Sequence, residues 1–258
     1  MKKKLANNLP FLAVMAAMAL AALSYAALKK AGLLILAGLG LFTAIAVHRI
    51  CKVTRKAILE YLNGPERFCK GKGIEIGSGG APMVKGSMLV DIIDNFSREL
   101  PYKVDYFADA HDLAAIKSSS LDYVCASHVL EHMTNPIRAI REWVRVLRPG
   151  GIMWLRIPDK RKTFDRRRER TPLGHLIEDF ERNVPVDDPT HIEDFKKKTD
   201  PPRDQGHPYV HNHVWVKEDI IELFGYLRET GVPLKLMRCE ENTRDRAEDF
   251  WLVAMKEA

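Results

Sequence analysis

The first 56 residues contain neither aspartate nor glutamate, although they hold nine lysines and arginines. The whole chain of 258 residues has 40 basic and 34 acidic residues, so residues 57–258 keep 31 basic and all 34 acidic ones. The formal net charge of +6 therefore combines a basic N-terminal fifth with a mildly acidic remainder. A protein that binds nucleic acid generally would carry its positive charge on the folded domain, so no nucleic-acid partner is expected.

Cysteine is also scarce, with four residues in the chain and no CxxC spacing among them. This number and spacing exclude a cysteine zinc framework and a disulfide scaffold, and they favour reduced thiols in a cytosolic domain. Apolar residues make up 46% of the chain, so residues 57–258 can bury a core of ordinary size.

Charge is missing from two apolar runs, residues 9–28 and 31–47, which Lys29 and Lys30 separate. A helix that crosses a bilayer needs about 20 apolar residues and at least roughly 17. The runs predict a transmembrane helical hairpin within a membrane anchor at residues 1–56. A cleaved signal peptide is the alternative for the first run, which leaves one or two transmembrane helices.

Basic residues follow the second run closely and include Arg49 and Lys52. By the positive-inside rule they place the downstream domain on the cytosolic side. We therefore expect a membrane protein that contacts the lipid bilayer through residues 9–47 and has its domain in the cytosol.

Residues 57–258 alternate short apolar strands with helices, which is typical of an α/β fold with a doubly wound, mainly parallel sheet. Two C-terminal strands without a helix between them predict an antiparallel C-terminal strand. The predicted strands lie at 74–76, 88–92, 104–107, 123–126, 152–157, 234–239 and 250–255, and the predicted helices at 52–61, 136–147 and 217–229.

The first strand runs into a glycine-rich segment, Gly73–Gly80, with the sequence GIEIGSGG. Glycine permits tight turns and close approach of a ligand to the backbone, and open α/β sheets bind ligands at the carboxyl ends of their strands. The segment is not a phosphate-binding P-loop, because no Gly-Lys-Ser/Thr follows, and it lacks the third glycine of the dinucleotide fingerprint.

Four further segments follow in order, each beside the end of a predicted strand. They are VDI at 90–92, ADAHDL at 108–113, SHVLEH at 127–132 and RVLRPGG at 145–151. Together with EIGSGG the set resembles a class I S-adenosylmethionine-dependent methyltransferase with a type 11-like domain. The resemblance is densest over residues 70–157 and implies a Rossmann-like fold for residues 57–258, with S-adenosyl-L-methionine as cofactor.

The resemblance also implies a cofactor site. Gly77 and Gly79 would pass close to the cofactor, and Glu75 would face its methionine amino group. Asp91 would hold the ribose, with Asp94 as a rival. Asp109 and the Ala110 backbone would hold the adenine, and Ser127 or His128 would lie beside the sulfonium. The chain departs from the family pattern in one respect, because residues 81–87 are too few for the full helix that normally precedes the second strand.

A long connection, residues 158–216, separates the fifth strand from the next helix and is called the insertion below. Long connections in compact domains are usually functional or disordered, and this one leaves the edge that should face the transferable methyl group, so it predicts a substrate lid. It holds five of the nine histidines, namely His175, His191, His207, His211 and His213.

Histidine is a suitable base for removing a proton from a methyl acceptor, and His128 and His213 are the catalytic candidates. The alternative is that the histidines hydrogen-bond the connection into shape. A metal site from His207, His211 and His213 with Asp179 or His191 is a further alternative. Its spacing matches no closed zinc pattern, so no metal ligand is assigned.

The sequence thus predicts methyl transfer from S-adenosylmethionine to an unidentified acceptor, with a membrane-associated lipid, quinone or lipid-linked sugar as the hypothesis. The alternatives are a non-catalytic membrane-bound S-adenosylmethionine-binding module, or a small-molecule methyltransferase that is only tethered to the membrane. A basic run at residues 160–170 predicts a solvated helix face, with a clamp for phosphate or an anionic membrane as the functional alternative.

Overall fold

The structure is a computed structural model that describes residues 13–21, 33–78, 82–92, 104–199, 210–242 and 247–258. The chain divides into two compact units, residues 1–64 and residues 65–258. The predicted division into an anchor at 1–56 and a methyltransferase domain at 57–258 stays a prediction.

The N-terminal unit contains helix α1 at residues 13–21 and helix α2 at Leu33–Asn63. Helix α2 joins the second apolar run to the helix predicted at 52–61, and it ends immediately before the helix-breaking pair Gly64-Pro65. Among the described residues, no helix has both the length and the apolar character needed to cross a bilayer. The transmembrane runs predicted at 9–28 and 31–47 lie partly outside those residues, and in the described part they are not confirmed.

The second unit is built on a seven-stranded mixed sheet with the order β3-β2-β1-β4-β5-β7-β6. Strands β1 to β5 pair in parallel, whereas β7 is antiparallel to both of its neighbours. The predicted mainly parallel, Rossmann-like sheet with an antiparallel C-terminal strand is therefore confirmed. The strands are β1 Gly73–Ile76, β2 Met88–Asp91, β3 Tyr106–Phe107, β4 Leu121–Ser127, β5 Leu147–Pro158, β6 Leu234–Glu241 and β7 Asp249–Lys256.

Helix α3, Pro136–Val146, links β4 to β5 and packs on the sheet through an apolar face. The Asn135 side chain caps its first turn by accepting a hydrogen bond of 3.0 Å from the Arg138 amide, and Pro136 occupies a first-turn position where no amide donor is needed. Trp143 is fully buried on this face and anchors the main core. Strand β5 begins at Leu147, so the Pro149-Gly150-Gly151 segment belongs to the strand and does not precede it.

The described part of the insertion contains two short α-helices, α4 Leu173–Glu181 and α5 Thr190–Lys198, and helix α6 at Lys217–Glu229 follows it. The insertion leaves and rejoins the sheet at one place. Asp159 pairs with Trp215 in a parallel bridge, and the Lys160 amide donates to the Trp215 carbonyl over 3.0 Å. The start and the end of the insertion therefore lie side by side at the end of β5.

Candidate active site

The parallel register brings the ends of the central strands to one edge of the sheet. Ile76 pairs with Val90 of β2 and with Ala126 of β4, and Ser127 pairs with Arg156 of β5. The segments after β1, β2 and β4 consequently begin beside one another. This carboxyl edge is where open α/β sheets bind their ligands.

Gly77 makes the turn that follows β1. Its φ angle is +64°, and its amide donates to the Val90 carbonyl over 2.8 Å, which ties the turn to the end of β2. A Cβ atom at this position would lie 2.5 Å from Val129 Cγ2. Both the backbone conformation and the space therefore require glycine. Gly79 lies outside the described residues, and so does Asp94.

We expect Gly77→Ala to lower both the free energy of unfolding and the affinity for S-adenosylmethionine. Gly86→Ala is a matched control, because Gly86 also has a positive φ, +84°, but no atom lies within 4 Å of its Cβ position. The left-handed conformation alone costs an alanine about 1–2 kcal/mol. Gly77→Ala should therefore lower the free energy of unfolding by more than this amount, and Gly86→Ala should not. Thermal unfolding and calorimetric titration measure the two effects. Equal losses in the two variants would contradict a steric role for Val129.

Glu75 is almost completely buried near the end of β1, and its carboxylate holds the segment that leads into β2. Its oxygens accept hydrogen bonds from the Met83 amide at 2.9 and 3.0 Å and from the Val84 amide at 3.2 Å. Burial raises the pKa of Glu75, although these bonds and the charge of Arg156 oppose the rise. The carboxylate thus replaces part of the support that the missing helix before β2 would give. The predicted contact between Glu75 and the methionine amino group stays a prediction.

Asp91 is the last residue of β2, and it is nearly buried at the carboxyl edge. Its carbonyl accepts a hydrogen bond of 3.0 Å from the Ala108 amide, so the segment after β3 starts beside it. An acidic side chain at this place suits a cofactor that presents hydroxyl groups, because a carboxylate accepts charge-assisted hydrogen bonds.

Asp109 lies just after β3 and is engaged by His111, a residue that the sequence analysis did not single out. Asp109 Oδ1 accepts from the His111 amide at 2.7 Å and contacts His111 Nδ1 at 2.6 Å. The other ring nitrogen, Nε2, accepts from the Asn135 amide at 3.2 Å, so Nδ1 carries the proton. Burial opposes ionisation of Asp109, but the bonds from His111 outweigh it and lower the pKa of Asp109. The Ala110 carbonyl accepts from Trp143 Nε1 at 2.9 Å, which fixes the predicted adenine-binding segment against α3.

His128 follows Ser127 at the end of β4 and has a φ of +56°. Its Nε2 lies 3.3 Å from Asp249 Oδ2 and its Nδ1 lies 3.5 Å from Glu131 Oε1, so two carboxylates hold the ring. Burial opposes protonation, but these two carboxylates outweigh it and raise the pKa of His128 to about 9. At neutral pH the ring is a cation, which counts against the predicted role of His128 as a base.

The linkage between His128 and stability has a defined direction. The pKa in the folded state, about 9, lies above the ordinary value of 6.5, so the folded state binds the proton more tightly than the unfolded chain. The stabilisation is complete below pH 6.5 and is lost as the pH rises towards 9. The groups that face His128 are the carboxylates of Glu131 and Asp249, together with Arg156 beside Asp249 and, beside Glu131, His132, whose pKa is lowered by burial.

We therefore expect the difference in free energy of unfolding between the protein and His128→Asn to shrink between pH 6.5 and 9. Asparagine tolerates the left-handed backbone, so the variant removes the charge and keeps the fold. Urea unfolding at several pH values measures the difference. A difference that stays constant over this interval would show that the ring is neutral.

His213, the second predicted base, is fully buried and stacks on Trp215 with 5.5 Å between ring centroids. Burial, followed by the neighbouring His191 and His175, lowers its pKa well below 6.5. The structure brings His213 together with these two histidines. His211 is held by Asp165, with 2.6 Å between Nδ1 and Oδ2, and His207 lies outside the described residues.

The described residues fit S-adenosylmethionine in three respects. Gly77 leaves the turn after β1 free of a side chain, Asp91 supplies a carboxylate at the end of β2, and Asp109 supplies one after β3. Fold and site together define an α/β enzyme with a nucleoside-containing cofactor at the carboxyl edge of its sheet.

Comparison with known proteins identifies the kind of reaction that this enzyme catalyses. Residues 88–155 match the family model described as a methyltransferase domain, and these residues span β2 to β5. No curated protein sequence matches the chain. The protein is an S-adenosylmethionine-dependent methyltransferase, with S-adenosylmethionine as its cofactor.

Solved structures share the fold at low identity. A methyltransferase dependent on S-adenosylmethionine from Thermotoga maritima is 18% identical with a TM-score of 0.45, and the match covers 83% of this chain and 96% of that one. One from Mesorhizobium loti is 13% identical with a TM-score of 0.45, covering 71% and 90%. A Rhodobacter sphaeroides structure, described as a Zn-dependent alcohol dehydrogenase, is 13% identical with a TM-score of 0.50, covering 78% and 90%. At these identities the likeness concerns the fold alone.

Proposed function

We propose that the protein methylates a membrane-associated acceptor, such as a lipid, a quinone or a lipid-linked sugar, that binds between the carboxyl edge of the sheet and the insertion. The observation that carries the proposal is the attachment of the insertion to the segment after β4. The His213 amide donates to the Glu131 carbonyl over 3.1 Å, Asn212 Nδ2 donates to the His132 carbonyl over 2.7 Å, and His132 Nδ1 lies 2.9 Å from the Val210 carbonyl. The insertion is thus packed where a lid over the acceptor is needed.

For methyl transfer the protein mainly has to align the acceptor with the methyl group. S-adenosylmethionine supplies a methyl group that is already activated by a sulfonium. The chain's own residues then have three tasks, which are to orient the acceptor, to exclude water and to take up a proton where the acceptor loses one. Of the two predicted bases, His213 is the one that is neutral, whereas His128 is protonated at neutral pH.

Attachment to a membrane is the second part of the proposal. Within the N-terminal unit large apolar side chains are exposed, with 71% of Phe42, 64% of Ile50 and 67% of Val53 accessible. The first 56 residues of the chain hold nine basic and no acidic residues, which suits the anionic cytoplasmic surface of a bilayer. Attachment through residues 9–47 would keep the domain on the cytosolic side and raise the concentration of enzyme near a lipid-like acceptor.

A labelling experiment tests the proposal. Membranes from cells that express the full chain are incubated with S-adenosylmethionine carrying a tritiated methyl group, and the organic and aqueous extracts are counted. We expect label in the organic extract, and none with an Asp91→Ala variant. Label only in water-soluble molecules would favour a tethered small-molecule methyltransferase. Cofactor binding without any incorporation would favour the binding module, and either result would overturn the proposed acceptor.

A further inference from the structure

Four side chains of the second unit converge on one small volume within the insertion. His175 and Asp179 lie one turn apart on α4, His191 lies in the first turn of α5, and His213 lies in the extended segment before Trp215. Each residue offers one nitrogen or oxygen atom as a ligand, and these four atoms all lie within 4.8 Å of one another. Asp179 Oδ2 is 3.3 Å from His175 Nε2, 3.5 Å from His191 Nε2 and 3.9 Å from His213 Nε2.

These contacts are not ordinary hydrogen bonds. Among the described residues, Asp179 Oδ2 has no hydrogen-bond partner although three imidazole nitrogens are close, and His213 Nδ1 has none either. The Asp179 side chain is only 5% exposed and that of His213 is fully buried. A buried polar atom without a hydrogen bond costs about 1–3 kcal/mol, so a cluster that served only to hydrogen-bond the insertion would align these groups.

The spacing suits a metal ion. Zinc bonds of about 2.0–2.2 Å in a tetrahedron place the ligand atoms about 3.3–3.6 Å apart. The two shortest separations around Asp179 Oδ2 fall in this interval, and the third exceeds it by a few tenths of an ångström. Three imidazoles and one carboxylate are a donor set that divalent transition metals prefer.

One contact holds a ring in the way that an outer-shell partner holds a metal ligand. His191 Nδ1, the ring nitrogen that does not face Asp179, lies 3.1 Å from Thr190 Oγ1.

We propose that His175, Asp179, His191 and His213 bind a divalent transition-metal ion, with zinc as the preferred ion. Four protein ligands close the coordination shell, which is the arrangement of a structural site and not of a catalytic one. With an ion bound, His213 would not be available to take up a proton from the methyl acceptor. The ion joins α4, α5 and the segment before Trp215, so it fastens the insertion. Asn135 Nδ2 donates to the Asp179 carbonyl over 3.1 Å, which connects the site to the N-terminal end of α3. The proposal does not depend on the identity of the methyl acceptor.

The test uses the full-length protein with Zn²⁺ and Co²⁺ as probes. The protein is treated with a chelator and then dialysed against Zn²⁺. We expect elemental mass spectrometry to find about one zinc ion per chain. Co²⁺ should give the intense visible bands of a tetrahedral complex. Re-addition of Zn²⁺ should raise the thermal unfolding temperature.

His175→Ala is the first variant, because this side chain is 41% exposed and its loss leaves the core intact. We expect its zinc affinity to fall by more than about 100-fold, beyond the 10–100-fold loss that an outer-shell partner causes. His48→Ala, which removes an exposed histidine of α2, is the matched control and should bind zinc normally. Asp179→Asn is a second ligand variant.

A second cluster, Glu131, His132 and His211, is the rival site, and His132→Ala separates the two. Zinc binding that survives in His132→Ala but not in His175→Ala supports the proposal. Three results would overturn it: no zinc bound by the natively folded protein, zinc retained by both His175→Ala and Asp179→Asn, or a loss confined to His132→Ala. Circular dichroism of each variant verifies that the fold is kept.

Discussion

The Asp91→Ala variant is expected to bind S-adenosylmethionine at least about 100-fold more weakly than the natural protein. A hydrogen bond to a charged group contributes about 1.5–3 kcal/mol, and a carboxylate that accepts from two ribose hydroxyls makes two of them. The sum of roughly 3–6 kcal/mol corresponds to a factor of about 10² to 10⁴. Asp91→Asn keeps an acceptor oxygen and loses the charge, so its affinity for S-adenosylmethionine should lie between those of the natural protein and Asp91→Ala. Calorimetric titration with S-adenosylmethionine and with its demethylated product measures the effect.

Asp122→Ala is the matched control for this prediction. Asp122 also lies near the end of a strand, but at the amino end of β4, where it accepts from the Lys72 amide at 2.6 Å and pairs with Arg148. Its loss should leave the cofactor affinity unchanged, whatever it does to stability. Unchanged affinity in Asp91→Ala would transfer the ribose contact to the rival residue Asp94.

The Arg168→Ala variant is expected to lower the free energy of unfolding by about 3–5 kcal/mol, the cost of leaving a buried charge without its partner. Arg168 Nη1 donates to Asp165 Oδ1 at 3.0 Å and to the His211 carbonyl at 2.7 Å, and Nη2 donates to the Asn212 carbonyl at 3.4 Å. Arg168 and Asp165 are both buried. The variant therefore leaves the Asp165 carboxylate with His211 but without its arginine, and it removes the donor to two carbonyl groups within the insertion.

Arg167→Ala is the control, because the neighbouring side chain is exposed and exposed substitutions usually change stability by less than about 0.5 kcal/mol. Urea unfolding of both variants gives the two free energies. A loss of similar size in the two would mean that the ion pair contributes nothing beyond general charge. The double variant Asp165→Asn, Arg168→Met should cost less than the sum of its single changes, since the two residues share one interaction.

Arg168 also corrects an interpretation of the basic run at residues 160–170. Charge alternation predicts a solvated face, and this holds for the exposed Arg166 and Arg167. Arg168 instead has its charge satisfied by Asp165 and by carbonyl groups of residues 211 and 212, more than 40 positions away. The local pattern of charge does not distinguish this buried arginine from its exposed neighbours, because Asp165 is near in sequence but the two carbonyl partners come from a distant segment.

The helical spacing of apolar residues predicted helix α3 almost to the residue, because this signal lies within the helix itself. The mainly parallel pairing of the strands followed from their alternation with helices. The contact between His128 and Asp249 could not be predicted from the sequence, because Asp249 lies 121 residues further along the chain. Asp179 and His191 were named from the sequence as possible companions of His213, but His175 was not and His211 was wrongly included, because the turns that bring α4, α5 and the segment before Trp215 together carry no recognised spacing.

The bridge between Asp159 and Trp215 has an evolutionary consequence, because it holds the two ends of the insertion together whatever lies between them. A segment whose ends already meet can be lengthened, shortened or replaced without displacing the strands on either side. Doubling the length of such a loop costs only about 0.6 kcal/mol in closure entropy. If the insertion covers the acceptor as proposed, acceptor preference can change through this segment while the carboxyl edge of the sheet stays the same.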